Sequence, residues 1–266
     1  MGCSHHTRVL HARCPFVRVE TGLLLSLGAA SLLLADTNLL FHAAFDDPAG
    51  IERAVVAAGS RQGEIVGEVT AAPGFQGQSV VVGGRGSLLF DGQRNLDAGT
   101  GAVAFWFAPL NWDAATNVTV ILMRLTLRDD NVAWLSREHD RGTTGNCLSV
   151  QLYGPQPDGR MGWGGGVRGR HHSAASIRRG QWNHFLATWD RTRMRVYLNG
   201  ETEQAGGSRK AFRQPDRFSI GPGRLSAGQP DTRIDEVKIF ARFFDAGDVR
   251  ELIRRETSGI DEDQRF

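Results

Sequence analysis

The chain is short of the residues that cross-link small domains. It has three cysteines in 266 residues, Cys3, Cys14 and Cys147. Two of them fall in the first 35 positions, and one remaining thiol can form neither an internal disulfide nor a thiolate metal cluster, so the fold has to be held by its core. Cys147 is read as a buried, inert side chain. Charge of one sign is also lacking. The formal net charge is +2, and setting aside Arg8, Arg13, Arg18 and Glu20 leaves the rest of the chain neutral, which argues against nucleic acid as the main partner. Beyond residue 35 there is no long apolar run and almost no helical period.

The first 35 residues have a composition of their own. A basic, polar start precedes an apolar run from Leu23 to Leu34, then Ala35 and the polar Asp36-Thr37-Asn38. This is the order of a secretory signal peptide, whose apolar centre is too short for a comfortable membrane span. Residues 1–35 are therefore expected to be a cleaved leader. The alternative is an uncleaved anchor in which Leu39, Leu40 and Phe41 extend the run, the one route by which a membrane would enter. Either way the expected location is secreted, periplasmic or cell-surface.

What is present is a succession of short β-type runs. Candidates are Leu39–Phe45, Ser79–Val82, Ser87–Phe90, Gly101–Ala108, Val118–Arg128, Ala133–Arg137, Cys147–Tyr153, Trp182–Trp189, Met194–Leu198, Arg217–Ile220 and Thr232–Phe240. They are punctuated by Asp91-Gly92, Asp158-Gly159, Asn199-Gly200 and Gly221-Pro222-Gly223, and the 33 glycines suit many tight turns. With 41% hydrophobic residues to fill one core, this pattern predicts an all-β, two-sheet antiparallel sandwich. Met194–Leu198 alternates between two faces and Asn199-Gly200 supplies the positive φ angles of a tight hairpin. Val103, Phe105 and Phe107 share one face and Ala102, Ala104, Trp106 and Ala108 the other, so this strand should be covered on both sides. One short C-terminal helix is expected at Asp245–Glu256, capped by Asp245 with Asp248 three positions on, and with Val249, Leu252 and Ile253 as its apolar stripe. The domain is placed at residues 36–258, followed by a loose tail at 259–266.

Gly180-Gln181-Trp182-Asn183-His184, Thr188-Trp189-Asp190 and Arg195-Val196-Tyr197-Leu198-Asn199-Gly200 resemble the late hairpin of laminin G-like and pentraxin-like jelly rolls of the concanavalin A-like lectin/glucanase class. Leu40–Asp46, Ser87–Gly92 and Ile234–Arg242 agree with that family in order, so the likeness spans roughly residues 38–256. The resemblance implies a jelly roll whose first and last strands lie side by side, and binding of sugar or protein at a sheet face or loop rim. It also implies a structural Ca²⁺ clipping the first strand to the last, with Asp235 in the closing strand and Asp46 after the opening one as its carboxylates. The alternative is that Asp235 caps a turn by accepting backbone N–H bonds and that Asp46 and Asp47 form a solvated turn.

The expected function is that of an exported, non-catalytic binding module for a glycan, with a structural or protein-adhesion module as the alternative and a hydrolase or lyase less favoured. The family's glucanases carry Glu-x-Asp-x-x-Glu on one strand; no such run occurs, and Asp235-Glu236, being adjacent, are expected to point to opposite faces. Aromatic rings stack on sugar faces, which makes Trp112, Trp134, Tyr153 and Trp163 the candidates for ligand contact, with core packing as the default reading of each, whereas Trp182 and Trp189 are assigned to the core. Arg168 and Arg170 lie in a segment read as a Gly-rich, solvated loop, Gly162 to His172, with forked hydrogen bonding to an anionic glycan as its functional alternative. His171-His172 is no zinc site, and His184 is read as a structural polar group.

Overall fold

The computed structural model describes residues 37–47, 50–127, 132–139, 146–155, 161–171, 175–202, 205–206, 214–224, 227–258 and 260. The expected leader, 1–35, and most of the tail lie outside the described residues. In chain order the strands are β1 (Leu39–Ala43), β2 (Val56–Ala57), β3 (Glu64–Gly67), β4 (Thr70–Pro73), β5 (Gln78–Val82), β6 (Gly86–Asp91), β7 (Gly101–Pro109) and β8 (Val120–Leu127). They continue as β9 (Val132–His139), β10 (Asn146–Pro155), β11 (Met161–His171), β12 (Asn183–Trp189), β13 (Met194–Leu198), β14 (Ala205–Gly206), β15 (Pro215–Ile220) and β16 (Thr232–Phe240), before helix α1 (Ala246–Glu256).

Two antiparallel sheets result. One runs β14-β13-β12-β7-β16-β1-β2, with β5 also paired to β16 and β4 to β5; the other runs β11-β10-β9-β8-β15-β6-β3. The first and last strands meet as the resemblance implied: β1 is antiparallel to β16, from Leu39 opposite Phe240 to Ala43 opposite Val237. Between the sheets lies the main core, in which Phe41 meets Phe90 and Phe218 edge-on at 4.9 and 5.0 Å. The strand read as covered on both sides is so. Val103, Phe105 and Phe107 of β7 face this core, while Ala102 and Ala104 join Leu186, Tyr197, Phe240, Phe244 and Val249 in a second cluster that includes the apolar stripe of α1.

Local signals act as expected. Asn199 and Gly200 take φ of 51° and 85°. Asp245 accepts from the N–H groups of Gly247 and Asp248 at 2.7 and 2.9 Å, and Asp248 returns a bond to the Asp245 N–H. One expectation fails: most of Gly162–His172 is strand β11, not loop. The ladder to β10 is made of backbone groups, which glycine supplies as well as any residue, and register to an already placed neighbour overrides a composition that reads as loop.

Candidate functional site

The seven-stranded sheet turns one face to the core through Met123 and Leu125 of β8, Ala133 and Leu135 of β9, Leu148 and Val150 of β10, and Phe218 and Ile220 of β15. Alternate residues therefore belong to its outer face. Backbone register aligns that face in rungs. One runs Arg168, Gln151, Trp134, Arg124, Ser219, Leu89 and Glu64 from β11 to β3. The next runs Trp163, Tyr153, Val132, Thr126, Arg217 and Asp91, and on the other side lie Arg170, Ser149, Ser136 and Ile121. Five of the six residues singled out as ligand contacts, distant in sequence, thus occupy neighbouring positions on one sheet face. Trp134 is partly exposed there, and at the β3 side the face continues as an open cleft of about 320 Å³ lined by Gln62, Glu64, Leu89, Asp91, Asp216 and Arg217.

Trp112 does not belong to this face. It is fully buried, parallel to Phe107 at 6.2 Å, and its Nε1 donates to Thr232 Oγ1 at 2.9 Å. Following a strand end does not expose a residue when the chain folds back over the sandwich mouth. Trp112→Phe would leave the buried Thr232 hydroxyl without its donor, and a loss of about 1–2 kcal/mol in chemical denaturation is expected, with ligand affinity unchanged. Trp189 is core, as expected, and donates to the Asp97 carbonyl. Trp182, assigned to the core, is only half-buried, with the Arg233 guanidinium 5.0 Å above its ring. Cys147 is buried.

Sequence reasoning passed over Arg124. Its signal was legible: one cation between Met123 and Leu125, both of which face the core. Arg124 is partly buried, its Nε is enclosed, and among the described residues it makes no hydrogen bond or ion pair. Beside it the turn Gly221–Arg224 folds onto the outer face, where the Gly223 N–H donates to Ser87 Oγ at 2.9 Å. Gly223 has φ of 76°, and a Cβ there would come within 2.6 Å of Ser219 Oγ and 3.1 Å of Arg124 Cδ, so this close approach requires glycine. Burial, and then the nearby charge of Arg224, lower the Arg124 pKa from its ordinary value.

The two carboxylates assigned to calcium both meet the turn between β4 and β5. Asp235 Oδ2 accepts from the Gln76 N–H at 3.0 Å and Oδ1 from the Glu236 N–H at 2.8 Å, while Asp46 Oδ1 accepts from the Gln78 N–H at 2.7 Å. Asp235 therefore caps the turn as its alternative had it, and Asp46, expected otherwise in a solvated turn, accepts a bond from that turn as well. The same turn also presents oxygen donors. Asp235 Oδ2 and the Gln76 carbonyl oxygen each lie 2.6 Å from where a Cβ on Gly74 would stand. Two such atoms are at most about 5.2 Å apart, within the span of two Ca²⁺–oxygen bonds. No group of three carboxylate, His or Cys ligands occurs among the described residues, so a cation here would rely on backbone carbonyls. Burial pushes Asp235 up to about 8, with the Gln76 N–H bond opposing it and the Glu236 charge adding to it.

Asp235 and Glu236 do not point to opposite faces. A bulge in β16 places Asp235 opposite Trp106 and Lys238 opposite Ala104, and Glu236 takes φ of 52°. The extra residue returns Ile234, Val237 and Ile239 to the core and leaves Asp235, Glu236 and Lys238 on the other side. There Glu236 meets His42 Nε2 at 2.9 Å and Lys238 Nζ at 2.6 Å, and Lys238 reaches Glu256 of α1 at 2.7 Å. Trp106, stacked on Phe75 at 3.7 Å, donates to Glu256 Oε2 at 2.7 Å. His184, fully buried at the edge of Trp106 with its Nε2 3.7 Å from Glu256 Oε2, makes no side-chain hydrogen bond among the described residues, and burial lowers its pKa to about 4. Largely buried, the network ties the helix to the sheet.

Comparison with known proteins gives the same architecture. The family profile of the concanavalin A-like lectin/glucanases superfamily matches residues 82–250. A search of curated protein sequences returns no significant match. Domain 4 of AbnA, a GH43 extracellular arabinanase from Geobacillus stearothermophilus solved in complex with arabinotriose, superposes with a TM-score of 0.54 at 21% identity, covering 81% of this chain and 98% of that one. A botulinum neurotoxin type C structure, described as dependent on two ganglioside molecules for cell entry, gives 0.62 at 13% identity over 82% of this chain and 51% of that one. The binding domain of botulinum neurotoxin DC in complex with rat synaptotagmin II gives 0.61 at 12%, over 82% and 52%. The chain thus spans about half the length of the two toxin structures, and these likenesses concern the fold.

Proposed function

Since the chain belongs to the concanavalin A-like lectin/glucanases superfamily, we propose that it is an exported, non-catalytic carbohydrate-binding module whose ligand lies across the outer face of the seven-stranded sheet, over β8 to β11. The observation that carries this reading is the register that brings Trp134, Tyr153 and Trp163 onto adjacent rungs with Gln151, Arg168 and Arg124. Flat rings beside amide and guanidinium donors are what a pyranose needs, apolar on its faces and hydroxylated at its rim. Binding of arabinotriose by the arabinanase domain supports the same class of ligand.

A glycan array probed with the chain, followed by titration of any bound saccharide, tests the reading. Trp134→Ala and Trp163→Ala are each expected to weaken binding by about tenfold or more, the effect of losing an aromatic hot spot. Silence across neutral and acidic glycans, with and without calcium, would reject it and turn attention to a protein ligand.

One structural Ca²⁺ at the Gly74–Gln78 turn, held by Asp235, Asp46 and the Gln76 carbonyl, is part of the proposal. Its support is the convergence of hard oxygen donors where Gly74 leaves room. A cation that binds only the folded chain stabilises it by about 2.7 kcal/mol at a hundredfold excess over its dissociation constant. The melting temperature should then rise with calcium and fall with chelator; an identical temperature in both would leave Asp235 and Asp46 as turn caps alone.

A further inference from the structure

On the outer sheet face, the turn that carries Arg224 comes down against Arg124, a Cβ on Gly223 falling 3.1 Å from Arg124 Cδ, and among the described residues neither arginine has a counter-charge. Arg124 projects from the middle of β8, with Trp134 as its Cα partner on β9 and Ser219 on β15. Arg224, exposed at the end of the turn that Gly223 brings down onto this face, is the charge that acts on it. Neither makes an ion pair or hydrogen bond among the described residues, although elsewhere arginines are matched closely: Arg217 with Glu64 at 3.3 Å, Arg193 with Asp190 at 2.7 Å, Arg242 with Asp248 at 3.0 Å. The carboxylate on the β9 part of this face, Glu138, is buried and accepts from Ser149 Oγ. Like charges held side by side, one of them partly desolvated, are unfavourable until an anion lies between them.

We propose that Arg124 and Arg224 form an anion subsite next to Trp134, and that the saccharide bound on this face carries an acidic group, a carboxylate or a sulfate ester, that docks there. This rests on the carbohydrate-binding reading and narrows it to acidic glycans. A guanidinium offers a planar fork to an oxyanion, and Trp134 is the register partner of Arg124 on the adjoining strand, about 4.8 Å away, beside which the sugar ring that bears the acidic group would lie. Arg168 lies on the same rung, three strands and so about 14 Å from Arg124, which leaves room for a second acidic residue of the same chain.

The test titrates the full chain at low salt with matched pairs: oligogalacturonate against its methyl ester, and a sulfated galactan oligosaccharide against its desulfated form. At least one acidic member should bind about tenfold or more tightly than its neutral partner, as expected of charge-assisted hydrogen bonds, and added salt should erode the difference. Which pair shows the preference identifies the acidic group. Arg124→Gln should bring the acidic and neutral affinities together, with its melting curve as a check on folding. Arg224→Gln, on an exposed turn, should reduce the preference without touching the core. Equal affinities within both pairs for the unmodified chain would overturn the anion subsite while leaving carbohydrate binding intact; no binding to any of the four, together with silence on the glycan array, would overturn both.

Discussion

Replacing Lys238 by methionine is expected to destabilise the fold by about 3–5 kcal/mol, the cost of leaving a buried charge without its partner. Lys238 Nζ is shared by Glu236 and Glu256 at 2.6 and 2.7 Å, and the side chains are 12%, 6% and 6% exposed. Burial works against ionised Glu236, yet the His42 hydrogen bond and the Lys238 charge outweigh it and hold that carboxyl at about 2. Without the ammonium, two enclosed carboxylates face one another and the C-terminal end of α1 loses its tie to β16. Urea denaturation at pH 7 measures the loss. Adding Glu256→Gln to the Lys238 variant should recover a good part of it, because the amide oxygen still accepts from Trp106 Nε1 and one negative charge is gone. A loss below about 1 kcal/mol would mean that these groups behave as a surface pair.

A second large effect concerns acid. His184 is enclosed and neutral, with its pKa lowered from 6.5 to about 4 by burial, despite the opposing pull of Glu256. Between those values the unfolded chain takes up a proton that the folded chain refuses, so this group's contribution to stability is lost as pH falls through that window, by roughly 3 kcal/mol in all. Asp235, raised to about 8, has the opposite slope over part of the range, so the wild-type curve alone does not isolate His184. The difference between His184→Leu and wild type does: the variant should gain stability relative to wild type by roughly 3 kcal/mol between pH 7 and pH 4. A pH-independent difference would show that the imidazole is protonated or hydrated inside the fold.

Both effects arise in a layer that the sequence announced only in pieces. Trp106, His184 and Asp235 were each visible as residues, and the two-sided burial of Gly101–Ala108 was legible from its alternation. Their convergence beneath α1 was not, because it depends on the register of β12, β7 and β16, and the place of Glu236 and Lys238 beside them depends on one extra residue in β16. Strict alternation sends Asp235 and Glu236 to opposite faces; a bulge sends both away from the core, and nothing in Ile234-Asp235-Glu236-Val237 marks it except that Ile234 and Val237 both need burial. Trp112 was misplaced for a similar reason, since the sequence shows that it follows a strand but not that Thr232 waits opposite with a hydroxyl.

Features governed by neighbours in the chain were determined by the sequence alone: the turn at Asn199-Gly200, the capping box at Asp245, the alternating strands, and through them an antiparallel sandwich; that its first and last strands meet came from the family resemblance. Each depends on backbone sterics or on hydrogen bonds spanning a few residues. The candidate site was decided by tertiary structure. Trp134, Tyr153 and Trp163 become neighbours, and Arg124 acquires Arg224, only when β8 to β11 take one register and the Gly221–Arg224 turn closes onto them. Register between strands far apart in sequence is selected by burial of the whole face, a collective quantity that no single segment carries.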